Sequence, residues 1–345
     1  MLKTPLCDLL GIEVPIILAP MGSCTSAELA AAASNHGALG SIGSLFRTTA
    51  AIKRDIDMVR TLTSRPYAVN HIPQTLDAEA FRCTLAARPA VISFALDDPG
   101  DLVRQARDAG SRVMLQVTTV AQAVQAAERG ADIIIAQGGE AGGYGGEVST
   151  IALVPQVVDA VSPVPVVAAG GIFDGRGIAA ALMLGAVGVN LGTRFIASRE
   201  APVSDGWKQA IAGAKSEDAI KADVFNDITS LPGTAGYRTV LRSLRTPFLA
   251  QWNANREEAR RNRDRLRDQI FASRQAGRET DTLLTAGQSA GGINDILPVA
   301  AILDRLVAET EATLLRAATP LGTTADPGRT AAPSASRADG TVALT

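Results

Sequence analysis

The sequence predicts an α/β protein: a (β/α)8 TIM barrel with a small helical insertion after its eighth strand. Three observations carry this prediction. Eight short apolar runs alternate with alanine-rich helical stretches at intervals of about 20–30 residues, the rhythm of parallel strands joined by crossover helices. Eight is also the number of strands that closes such a barrel. Hydrophobic residues make up 46% of the chain but aromatics only 4%, so the core must be built from Ala, Val, Ile and Leu, as suits helices packed on a buried parallel sheet.

The elements follow in order. Val14–Met21 (VPIILAPM) reads as the first strand, with a helix over Ser26–His36. Ala38–Ser44 is the second, with a helix near 49–63, and Pro66–His71 the third, with a helix near 78–87. Ala90–Leu96 precedes helix Gly100–Ala109, and Arg112–Val117 precedes helix Val120–Arg129. Ile133–Gln137 leads to helix Leu153–Val161, Val164–Ala169 to helix Gly175–Leu184, and Gly188–Gly192 is the eighth strand. A doubly wound open sheet is the alternative, but it usually has fewer strands, and no ninth run partners the eighth.

Composition then changes. Residues 214–286 are polar and helical, and NREEARRNRDRLRDQ at 255–269 reads as a solvated helix face with i,i+4 ion pairs. Apolar periodicity returns at Ile293–Leu315, a closing barrel helix. The expected division is a barrel over 1–213 and 287–317, a lid or substrate domain over 214–286, and a disordered tail over 318–345, rich in Ala, Thr, Pro, Gly and Ser. The net charge of −2 argues against nucleic-acid and anionic-membrane partners. Cys7, Cys24 and Cys83 form neither a disulfide framework nor a metal spacing, so the expected setting is reduced and cytoplasmic, with no metal. The N-terminal stretch lacks the features of a signal peptide, and no run approaches the ~20 apolar residues of a membrane span.

In a barrel of this kind the active site is built at the C-terminal strand ends. Those ends are Ala19-Pro20-Met21-Gly22, Asn70-His71, Gln116, Gln137-Gly138, Gly170-Gly171 and Gly192-Thr193. Glycine turns after strands seven and eight suit a phosphate, because backbone N–H groups can approach the anion at a helix N-terminus. Taken alone, Gly170-Gly171 is equally a tight strand-to-helix turn. The loop Gly142-Gly143-Tyr144-Gly145-Gly146 suits a flat ring lying against backbone, and the two features together suggest a flavin nucleotide. No G-x-x-x-x-G-K-[ST] loop is present, and GALGSIG at 37–43 has the wrong spacing for a dinucleotide fingerprint.

PIILAPM, AQGGEAGGYGG, VPVVAAGGI, GAVGVNLGTRF and GQSAG (287–291) occur in this order, and through them the chain resembles the nitronate monooxygenase family, which includes flavin-dependent enoyl-ACP reductases. The resemblance runs from about residue 5 to 315. It implies an FMN-binding barrel with a small helical domain. Met21 and Gly22, with Ala19 and Pro20 before them, should lie against the flavin. Asn70, Gln116 and Gln137 should bind the ring or ribityl chain, and Gly142 and Gly143 should border the ring. Gly170, Gly171, Gly192 and Thr193 should hold the phosphate, and Gln288, Ser289 and Gly291 should close over the cofactor. One departure stands out. Where the family's loop usually reads A-G-G-H, with the histidine as acid-base residue, this chain has Tyr144. A phenol with an ordinary pKa of about 10 is a poor base near neutrality but a serviceable acid. His71 is therefore expected to stand over the flavin as the replacement base, with Tyr144 as hydrogen-bond donor. His36 reads as a structural helix-end residue and Cys24 as a packed small side chain.

A nitronate is already deprotonated, so the missing histidine favours nitronate oxidation with O2 over reactions that need a base. Reduction of an enoyl thioester or quinone by NAD(P)H is the alternative. A non-catalytic FMN- or phosphate-binding barrel would leave the polar strand ends unexplained, and a cofactor-free lyase acting on a sugar phosphate would be told apart by a colourless protein that takes up no FMN. A homodimer is compatible with the sequence.

Overall fold

The computed structural model describes residues 2–229 and 239–318. The expected tail lies outside these residues except for Ala318, the last residue of the final helix. All eight expected strands are present, most of them trimmed at their ends: β1 Ile16–Leu18, β2 Gly40–Gly43, β3 Tyr67–His71, β4 Val91–Phe94, β5 Arg112–Val117, β6 Ile133–Gln137, β7 Val166–Ala169 and β8 Gly188–Leu191. Every neighbouring pair from β2 to β8 is parallel. β1 pairs with β8 through Ile16↔Val189 to Leu18↔Leu191, and an Ile17↔Leu39 bridge joins β1 to the start of β2. The sheet is therefore closed, and the open-sheet alternative is excluded.

Successive strand residues point to opposite faces, which divides the core into two layers. Outward residues such as Leu18, Val69, Ile92 and Val189 pack under the helices. Inward residues, among them Ile17, Ala68, Met114, Ile135 and Val167, form a second cluster with Leu6, Cys7 and Leu10. Those last three lie on helix Pro5–Leu10, which starts with Pro and ends on Gly11 in the left-handed region, and which plugs the N-terminal end of the barrel. The sequence reading did not anticipate this six-residue element, although both of its end signals are legible.

The insertion departs from expectation in two respects. Besides helices Val224–Thr229, Pro247–Ala254, Arg256–Arg261 and Arg263–Gln275, it contains strands Ala219–Lys221 and Val240–Leu244. Together with Gly143–Gly145 these make a three-stranded antiparallel sheet, so the glycine loop after β6 is itself a strand, with Leu241 opposite Tyr144. Glycine is depleted in strands, which hid this pairing from a propensity reading. The charged run breaks at Asn262 into two helices. Arg256 and Arg260 pair with Asp227 on another helix, and Ala259, Leu266 and Ile270 are buried, so the run is not merely a solvated face. The closing helix spans Val299–Ala318 rather than starting at Ile293. Pro298 disfavours helix in the residue before it, and its carbonyl accepts the first bond, from Ile302. Among the described residues no helix is long and apolar enough to cross a membrane, and no group of three His, Cys, Asp or Glu is placed to hold a metal.

Candidate active site

The C-terminal strand ends open into a cleft enclosing about 1290 Å³ of space continuous with solvent. Ala19, Pro20, Met21 and Gly22 form its β1 side. From β3, Asn70 turns inward and donates through its amide to the Ser93 carbonyl (3.2 Å) and Oγ (3.1 Å) on β4, which fixes its orientation. Gln116 and Gln137 line the cleft from β5 and β6. Gln137 Oε1, and Asn190 Oδ1 on β8, are shielded from solvent and lack a hydrogen-bond partner among the described residues. Buried acceptors in this state are costly unless a ligand satisfies them.

Gly170 and Gly171 form the turn after β7 with φ of +100° and +75°, a region that glycine enters without steric cost. A Cβ on Gly170 would lie 2.8 Å from the Gly138 carbonyl oxygen. The turn is braced from the β6 loop, where Glu140 accepts the Thr150 N–H (2.9 Å) at the N-terminus of helix Thr150–Val161. Gly192 and Thr193 line the cleft after β8, and Thr193 Oγ1 accepts the Gly287 N–H (2.9 Å). The Gln288 N–H donates to the Glu140 carbonyl (2.9 Å). The segment 287–291 is thus tied to both glycine loops. Gly142 has no room for a side chain, since a Cβ there would meet Gly287 N at 2.5 Å.

Of the other residues expected at the site, Gly143, Tyr144 and Ser289 line the cleft. Gln288 and Gly291 do not. Gln288 works through its backbone, its carbonyl also accepting from Ser216 Oγ (2.9 Å), and Gly291 faces Ser216 outside the cleft. Tyr144 is buried against Phe225, with ring centroids 5.9 Å apart, in a cluster that includes Leu241.

His71 is a correction. Its ring points away from the cleft, into the layer between β3 and helix Ala78–Ala87. There it meets Phe81 edge-on at 5.2 Å, and Nε2 lies 2.9 Å from Thr84 Oγ1. The Thr84 hydroxyl donates to the Ala80 carbonyl, so His71 Nε2 is the donor to Thr84. The expectation placed both Asn70 and His71 over the site, which the pleat forbids: neighbours on one strand face opposite ways. Burial pushes the His71 pKa down to about 4, only partly offset by the Asp77 carboxylate. Because the unfolded chain takes up this proton near the ordinary value of about 6.5, stability should be complete above that pH and fall as pH drops toward 4. The loss should approach about 3 kcal/mol. Urea midpoints measured from pH 7.5 to 4.5 should show this slope, and His71→Gln should flatten it. Equal slopes in the two proteins would contradict the assignment.

Sequence reasoning missed several lining residues. Asn190 was legible as a polar side chain within the buried run GVNLG. Cys24 was read as packed, and it does also line the cleft. Its burial pushes the thiol up to about 11, with the Arg274 charge opposing, so it is neutral at pH 7. Phe225, Leu241 and Arg274 come from the insertion, where no motif marks them.

The sequence model of the nitronate monooxygenase family matches residues 3–83 and 75–309. The chain belongs to the nitronate monooxygenase family. Within the family and its relatives it is 41% identical over 212 residues to a Mycobacterium tuberculosis protein named (3aS,4S,5R,7aS)-5-hydroxy-7a-methyl-1-oxo-octahydro-1H-indene-4-carboxyl-CoA dehydrogenase, covering 60% of this chain and 59% of that one. The chain thus spans about three fifths of that relative's length. A probable nitronate monooxygenase of Staphylococcus aureus is 33% identical over 271 residues, 65% of this chain and 76% of that protein. Among solved structures, FabK from Thermotoga maritima superposes with a TM-score of 0.83 at 32% identity, over 92% of this chain and 99% of FabK. A nitroalkane oxidase from Streptomyces ansochromogenes superposes at 0.78 with 27% identity, over 90% and 99%. These neighbours share the closed barrel, and in this chain Tyr144 stands on the cleft wall.

Proposed function

We propose that the cleft binds FMN and that the protein oxidises alkyl nitronates with O2. One observation carries the choice of reaction: no carboxylate and no histidine is among the described residues lining the cleft, whose titratable side chains are Cys24, Tyr144 and Arg274. None of these accepts a proton readily near neutrality. A neutral nitroalkane must first lose its α-proton, whereas a nitronate arrives without it.

FMN fits the residues present. Gly170, Gly171, Gly192 and Thr193 would hold the phosphate, and the unpartnered Gln137 Oε1 and Asn190 Oδ1 would accept from the ring or ribityl chain. Bound FMN supplies the two-electron acceptor that the side chains lack. Met21, Gly142 and Gly143 would confine the ring, and Asn70, oriented by Ser93, would present its free oxygen to it. The insertion, contributing Phe225, Leu241 and Arg274, serves in this reading as a lid that orients substrate and excludes water.

The second reading is NAD(P)H-dependent reduction of an enoyl thioester or quinone. It is favoured by Tyr144, a phenol able to deliver a proton, and by the likeness to FabK and to a dehydrogenase named for a carboxyl-CoA substrate. Anaerobic mixing separates the two. The yellow holoprotein is mixed with alkyl nitronate, NADH and NADPH in turn while flavin absorbance is followed. Rapid bleaching by nitronate alone is expected. Bleaching by nicotinamides alone would replace the oxidation with the reduction, and a protein that takes up no FMN would end both readings.

A further inference from the structure

Among the described residues, Arg274 is left without a counter-ion in the cleft wall. It lies in the last turn of helix Arg263–Gln275. Nη2 donates to the Leu283 carbonyl (3.0 Å), and the guanidinium stacks over the Trp207 ring at 5.2 Å from its centroid. Among the described residues its Nε, shielded from solvent, has no partner, and the same holds for the indole N–H of Trp207 beneath it. Among the described residues no carboxylate pairs with it, and the neighbouring Cys24 thiol is uncharged at pH 7. The helix C-terminus and one carbonyl offset the charge only in part. A shielded cation in a ligand cavity is costly unless an anion arrives with the ligand, and a guanidinium suits planar two-oxygen anions.

Two sources could supply that anion, the cofactor phosphate and the substrate. Gly170, Gly171, Gly192 and Thr193, at the strand ends lining the cleft, are already assigned to the cofactor phosphate in the reading above. Arg274 instead belongs to the insertion. Phe271, one turn earlier on the same helix, packs edge-on at 6.4 Å against Phe46, a half-exposed residue of the cleft lining. The arginine therefore sits on the lid beside the cleft mouth.

We propose that Arg274 is a specificity-determining residue that docks a two-oxygen anion of the substrate, a carboxylate or the nitronate group itself. This rests on the cleft being the flavin and substrate site, and the two ideas can fail separately. Uptake of FMN, read by colour, tests the site. Arg274 is tested on the full-length flavin-loaded protein by titrating butyrate against its neutral analogue butyramide. Two signals are followed, the flavin difference spectrum and the emission of Trp207 in a Trp252→Phe background. The wild type should bind butyrate at least tenfold more tightly than butyramide. Arg274→Met should bring the two to equal affinity, and Arg274→Lys should keep a reduced preference, with FMN affinity within threefold of wild type in both variants. No preference in the wild type would overturn the proposal. So would a tenfold or greater loss of FMN affinity in Arg274→Met with folded circular dichroism, which would assign the guanidinium to the cofactor phosphate. If Arg274→Met does not fold, Arg274→Lys decides: an unchanged butyrate preference rejects the proposal.

Discussion

Gly170→Ala should purify colourless, with FMN affinity reduced at least about 100-fold, the equivalent of roughly 3 kcal/mol. Two costs combine at this residue. A φ of +100° is a conformation that alanine avoids, and the added Cβ would sit 2.8 Å from the Gly138 carbonyl oxygen. Gly138 is fixed in turn, since its N–H bonds to the Ala169 carbonyl (2.8 Å), so the turn after β7 must move rather than its neighbour. That turn is the phosphate cradle of the proposed site, and a shift of about an ångström removes hydrogen bonds that depend on position. The control is Gly185→Ala, which carries comparable strain, with φ +93° and a Cβ 3.0 Å from Val158 Cγ1, but precedes β8 at the opposite end of the barrel. It should lower the urea midpoint while leaving FMN affinity unchanged. Gly170→Ala that stays yellow with wild-type affinity would remove the turn from the cofactor site.

The parts of the molecule legible in its sequence are those whose signal is local and repeated. The eight strands declare themselves because a strand buried on both faces reads as a short apolar run, and each is followed by a helical stretch. The glycines at 170, 171 and 192 are legible because two glycine turns at successive strand ends suit a phosphate, although either alone also reads as a tight turn. What escaped reading depends on contacts distant in sequence. The direction of His71 is set by the pleat once Asn70 is known to face inward, and attention to that alternation would have kept the two residues apart. The strand character of Gly143–Gly145 exists only because Val240–Leu244 lies beside it, about a hundred residues later. Arg274 looks like any arginine of a charged helix until folding brings Trp207 under it and the cleft beside it.

Tyr144→His should raise the turnover of neutral nitroalkanes at least about tenfold, since a positioned base is typically worth 10²–10⁴. The side chain is buried, lines the cleft and lies opposite Leu241 in the small sheet, so an imidazole there starts from the same backbone position on the cleft wall. Its apolar neighbours Phe225 and Leu241 should depress its pKa, which keeps the ring neutral and able to accept a proton at pH 7. The smaller ring leaves space in that cluster and should cost about 1–3 kcal/mol of stability. Tyr144→Phe supplies the complementary result. It preserves the packing and removes only the phenolic oxygen, so nitronate oxidation should stay within about threefold of wild type, whereas reduction of an enoyl acceptor should fall about 100-fold through loss of its proton donor. Steady-state kcat/KM for nitroalkane, nitronate and enoyl substrates in the three proteins distinguishes these outcomes. A 100-fold loss of nitronate oxidation in Tyr144→Phe would show that the hydroxyl acts in that reaction, and the argument from the missing base would then no longer separate oxidation from reduction.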